Sequence, residues 1–92
     1  MNESVQAHVR ISGTVQGVYF RVSTQEKAQQ LGVTGWVKNN DDGRVEAVFE
    51  GEREAVDALL DWCAEGPANA VVASVEVTFV DPEGYTEFRI IR

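Results

Sequence analysis

From Val5 to Ser12 the chain alternates without a lapse. Val5, Ala7, Val9 and Ile11 fall on one side, and Gln6, His8, Arg10 and Ser12 on the other. A period of two specifies a strand with one dry face and one wet face. A short joint follows, and then the period changes. Phe20, Thr24, Ala28 and Leu31 recur at helical spacing, Glu26, Lys27, Gln29 and Gln30 turn outward, and Gly32 supplies a C-terminal stop. An alternating strand that feeds a helix through a glycine-containing joint must bury both apolar faces against one another, which leaves few architectures.

The same change of period recurs downstream. Thr34 to Asn40 reads as a strand with Trp36 and Val37 on opposite faces, and Asp42-Gly43 is a hairpin signal. The next strand, Arg44 to Glu50, places Val45, Ala47 and Phe49 on one face, and Gly51 is expected to break it. A helix from about Glu52 to Glu65 opens on Glu52 and Glu54, as the helix dipole prefers, and carries the stripe Val56, Leu59, Leu60 and Cys63. Gly66-Pro67 ends it. Val71 to Val80 is a further strand, with Val71, Ala73, Val75, Val77 and Phe79 expected inward. Asp81-Pro82-Glu83-Gly84 turns the chain into a short last strand, Thr86 to Ile91. The order is strand, helix, strand, strand, helix, strand, plus a short C-terminal strand. Right-handed crossovers put both helices on one face of an antiparallel-type sheet. The expected fold is therefore α+β, a ferredoxin-like split βαβ sandwich, with residues 1–92 forming a single domain.

Charge and cysteine content narrow the function. Fifteen acidic against eight basic residues give a net charge of −7, which opposes non-specific nucleic-acid binding. Cys63 is the only cysteine, so no intramolecular disulfide forms and a reducing compartment is expected. The polar start Met1-Asn2-Glu3-Ser4 lacks a signal-peptide pattern, and no apolar run reaches membrane-spanning length. The expectation is a cytoplasmic, monomeric protein that needs no membrane. No Walker-type or GxGxxG loop and no zinc-spaced Cys/His set occurs.

The joint itself, Ser12-Gly13-Thr14-Val15-Gln16-Gly17-Val18-Tyr19-Phe20-Arg21, breaks a local rule. Helix N-termini favour anions, yet Arg21 falls in the first turn and no acidic residue occurs between Glu3 and Glu26. A bound anion would resolve the conflict, because turn N–H groups, the helix dipole and a guanidinium together suit a phosphate-like group.

The stretch Gly13 to Arg21 resembles the first signature of the acylphosphatases. Leu31-Gly32-Val33-Thr34-Gly35-Trp36-Val37-Lys38-Asn39 with Asp42-Gly43-Arg44-Val45-Glu46 resembles the second. The similarity covers essentially the whole chain and points to a small, common-type acylphosphatase. It implies hydrolysis of the carboxyl–phosphate anhydride bond of acyl phosphates, with no cofactor, no metal and no covalent intermediate. It further implies that Arg21 and the main-chain N–H groups of Val15, Gln16, Gly17, Val18, Tyr19 and Phe20 bind the phosphoryl group. Asn39 would orient a water for direct in-line attack, and inorganic phosphate or sulfate would be a site ligand.

The chemistry agrees. Phosphoryl transfer depends mainly on positioning and charge stabilisation. A carboxylate leaving group, whose conjugate acid has an ordinary pKa of about 4, departs without a general acid. Read without the resemblance, Asn39 is a turn residue beside a hairpin, and Val18 and Phe20 are core; composition alone would make Arg21 a solvated or ion-paired helix residue, a reading that its place at the wrong helix end and the motif reverse. His8 reads as a strand residue on the open sheet face, Cys63 as structural, and Glu50, Glu52, Glu54 and Asp57 as a solvated helix start. Two other readings are a ferredoxin-like RNA- or ligand-binding module and a domain serving carbamoyl phosphate in a larger maturation factor. The acidic charge and the position of Tyr19-Phe20 at a loop–helix junction oppose the first. The chain length opposes the second.

Overall fold

The computed structural model describes residues 3–91, so Met1 and Asn2 of the polar N-terminus lie outside it. The elements run β1 (Ser4–Thr14), α1 (Phe20–Leu31), β2 (Thr34–Asn39), β3 (Val45–Glu52), α2 (Arg53–Glu65), β4 (Val71–Val80) and β5 (Phe88–Ile91). They build one five-stranded sheet in the order β4-β1-β3-β2-β5. The first four strands pair antiparallel, whereas β5 runs parallel to β2, so the sheet is mixed. This is the expected α+β split βαβ sandwich.

The alternation of β1 explains the packing. Ala7, Val9 and Ile11 are buried with Val45, Ala47 and Phe49 of the paired β3, Val37 of β2, and Phe20, Ala28, Val56, Leu59 and Cys63 of the helices. Fully burying each valine, leucine, isoleucine or phenylalanine among them stabilises the fold by roughly 1.5–3 kcal/mol. Helix α1 ends at Gly32, whose left-handed φ of 74° lets its N–H return to Ala28 and Gln29 carbonyls.

Four sequence expectations need correction. Gly51 does not break β3: it pairs with Val5, and the strand runs on to Glu52. The inward set for β4 holds at Val75 but fails at Val71, which is 65% exposed, and at Ala73, which is also exposed. The register between β1 and β4 shifts at Ser12/Gly13, and an extra residue in a strand reverses which side chains face the core. Beyond the shift Val72 is half-buried instead. Val77 and Phe79 lie opposite core residues Val9 and Ala7 but on an edge strand, where they are 38% and 42% exposed. The last strand begins at Phe88, because the residues before it serve a different purpose.

That purpose is the fourth correction. Glu50 is not part of a solvated helix start; it is 6% exposed. Its carboxylate accepts the N–H groups of Glu83, Gly84 and Tyr85 at 2.7, 2.8 and 2.9 Å, and Gln6 Nε2 at 2.9 Å. The β4–β5 connection is thereby clamped onto the sheet face opposite the helices, where Tyr85 Oη also receives the Trp36 Nε1–H at 3.2 Å. Burial pushes the Glu50 carboxyl up, but the four hydrogen bonds outweigh it and hold the group below the ordinary carboxylate range.

Candidate active site

The joint between β1 and α1 occupies residues 15–19 in irregular backbone. Gly17 turns it with φ 77°, a left-handed conformation that costs glycine little. Tyr19 adopts φ 61° and ψ 26° as the residue preceding the helix, with no side-chain cap bond. Its carbonyl accepts the Ser23 N–H at 3.0 Å and so opens the helical ladder. Phe20 anchors the joint from behind. Its ring is buried at 5.6 Å from Trp62 of α2, and Thr24 Oγ1 donates to its carbonyl at 2.7 Å. Among the described residues, no N–H of residues 15–20 donates to a backbone carbonyl.

Gln16 links this joint to the β2–β3 turn. Its Nε2 donates to the carbonyls of Asn40 at 2.7 Å and Arg44 at 3.0 Å. The turn is closed by the Asn40 N–H to the Arg44 carbonyl at 2.8 Å and by the Asp42 carboxylate, which accepts Arg44 N–H and Nε at 3.0 and 2.9 Å. Those bonds from Arg44 hold the exposed Asp42 carboxyl below its ordinary range. Asn39 stands where β2 enters this turn, opposite Val45. Its Oδ1 is buried without a hydrogen-bond partner, the one such side-chain atom among the described residues. Buried polar atoms are normally paired, so an exception of this kind calls for an explanation.

Arg21, the second residue of α1, has no acidic neighbour in the first turn and no ion-pair partner among the described residues. A cavity of about 390 Å³ collects these groups, lined by Val15, Gly17, Tyr19, Phe20, Arg21, Val22 and Asn39. Arg21 and Asn39, distant in sequence, thus share one cavity with four of the six expected loop residues. The other two point their side chains elsewhere: Gln16 to the hairpin, and Val18, half-buried, against the core. Val22 was missed, since a lone apolar residue on a helix surface carries no signal. The Gln16 tether was missed because a glutamine beside a glycine reads as loop geometry. Among the described residues, no carboxylate, imidazole or thiol lines the cavity. His8 is on the opposite, open face, 2.9 Å from Gln6 Oε1, and Cys63 is buried in the core, where burial pushes its thiol up. No helix is long and apolar enough to cross a membrane among the described residues.

The fold and cavity define an α+β sandwich of ferredoxin-like architecture with a cation at its first loop–helix junction. A family model described as acylphosphatase matches residues 7–90. A curated protein of Gloeobacter violaceus named acylphosphatase is 55% identical over 92 residues, covering 100% of this chain and 99% of that one. One of Haloquadratum walsbyi with the same name is 55% identical over 87 residues, covering 95% and 94%. The solved structure of an acylphosphatase from Coxiella burnetii superposes with a TM-score of 0.93 at 44% identity, over 98% of this chain and 94% of that chain. The chain belongs to the acylphosphatase family, a family of hydrolases.

Proposed function

We propose that this chain hydrolyses acyl phosphates to carboxylate and phosphate, as a metal-independent, cytoplasmic monomer. The observation that carries the reading is that Asn39 and Arg21, the latter without an ion-pair partner among the described residues, line one cavity. Arg21 and the N–H groups of residues 15–20 hold the phosphoryl oxygens by charge-assisted hydrogen bonds. The Asn39 side-chain amide holds a water by hydrogen bonding and aims its oxygen at phosphorus. The new O–P bond forms as the bond from phosphorus to the acyl oxygen breaks, and the electron pair leaves with the carboxylate. The proton of the attacking water passes to a phosphoryl oxygen or to solvent, since among the described residues no basic side chain lines the cavity apart from the guanidinium, which has no free acceptor. The carboxylate is a weak base, so no general acid is required. Arg21 stabilises the charge as it redistributes over the equatorial oxygens.

The test is hydrolysis of benzoyl phosphate by the purified protein, with Arg21→Gln as a folded control and with EDTA. We expect turnover that survives EDTA and falls by about 100-fold or more in Arg21→Gln. An active, folded Arg21→Gln removes Arg21 from the mechanism, and loss on chelation shows that a metal takes part.

A further inference from the structure

We propose that Tyr19 and Val22 form an apolar rim that receives the acyl group, so that the preferred substrates are acyl phosphates with aromatic or branched apolar acyl chains. The inference rests on the cavity being an acyl phosphate site, and it names what that reading leaves open. An acyl phosphate has two ends. The phosphoryl end is met by Arg21 and the loop N–H groups, which are indifferent to the rest of the molecule. An uncharged acyl end must be met by whatever else lines the cavity. The remaining exposed side chains there are Tyr19, which is 80% exposed, and Val22, which is 45% exposed. They flank Arg21 on either side along the chain.

Neither side chain has structural work that accounts for its position. The Tyr19 ring belongs to no aromatic pair and its hydroxyl to no hydrogen bond among the described residues. Its backbone nevertheless holds φ 61°, the one positive φ at a non-glycine residue among them. Bulky residues disfavour that conformation, and glycine or asparagine would take it more readily. A strained tyrosine at a cavity mouth is the kind of outlier from which function is inferred. Its flat face suits an aromatic acyl group, and Val22 adds a branched apolar surface beside it. Covering some tens of Å² of such surface is enough to change affinity by about tenfold.

The experiment is the ratio of kcat/KM for benzoyl phosphate to that for acetyl phosphate, measured on wild type, Tyr19→Asn, Tyr19→Phe and Val22→Ser. Asparagine keeps the left-handed backbone accessible while removing the ring. We expect the ratio to fall by roughly 5- to 10-fold in Tyr19→Asn, mainly through KM for benzoyl phosphate. It should fall less in Val22→Ser and return to the wild-type value in Tyr19→Phe. A ratio within about twofold of wild type in Tyr19→Asn, with both substrates losing equally, assigns Tyr19 to loop geometry and overturns the rim alone. Folded wild type that turns over neither substrate overturns the hydrolase reading, and the rim with it.

Discussion

Arg21 and Asn39 differ in how they could be found. Arg21 announces itself in the sequence, because a cation in the first turn of a helix with no acidic neighbour opposes the helix dipole. Asn39 does not: before Asn40-Asp41 it is indistinguishable from a turn residue, and only the resemblance singles it out. The structure adds what the sequence lacks, a buried Oδ1 that no group of the described residues satisfies. Such an atom costs about 1–3 kcal/mol of desolvation wherever water does not reach it. Asn39→Ala should therefore lower kcat by about 100-fold or more with KM changed by less than about threefold, while the urea midpoint stays level or rises. Steady-state kinetics beside urea unfolding checks both halves. A rise in KM at constant kcat would refute the water-orienting role.

The elements were legible wherever one face is consistently buried, as in β1, β3 and α1. Legibility failed where a long-range feature reset the local pattern. The register shift at Ser12/Gly13 reverses the faces of β4 beyond it, and nothing in Val71-Val72-Ala73 shows that Ala73 is the residue left without a partner. The Gln16 bridge is of the same kind, since its acceptors lie 24 and 28 residues away. It couples the β1–α1 joint to the β2–β3 turn, and hence the Arg21 side of the cavity to the Asn39 side. With two hydrogen bonds of about 0.5–1.5 kcal/mol each, Gln16→Ala should destabilise the fold by roughly 1–2 kcal/mol. Gln16→Glu should cost more, because a carboxylate would face the two carbonyl oxygens with no proton to offer. Urea unfolding of the two variants gives the order; Gln16→Glu at least as stable as Gln16→Ala would show that the bridge does not hold the two loops.

At the scale of the molecule, Glu50 connects strand, loop and solvent pH. Its carboxyl is held below the ordinary value of 4.5 in the folded state, so the folded protein binds fewer protons there than the unfolded one. The resulting stability is fully present above about pH 4.5 and is lost as pH falls through the lower, folded value. Glu50→Gln should be less stable than wild type by about 1–3 kcal/mol at pH 7, and the gap should narrow on acidification below that range. Urea midpoints from pH 7 to pH 3 measure it, and a gap independent of pH would remove the carboxylate as its source. The sheet order has a consequence of another sort. Strand β1, which leads into the Arg21 loop, lies between β3 and β4, and Gln6 pairs with Val80 near the far end of the chain. During synthesis on a ribosome β1 emerges before its neighbour β3, and its other neighbour, β4, follows only after β3 and α2. The nascent chain therefore carries an apolar strand with an open edge until β4 is out, and completing the sheet means closing the longest loops available. The interval before β4 emerges is when this domain is most exposed to edge-to-edge aggregation.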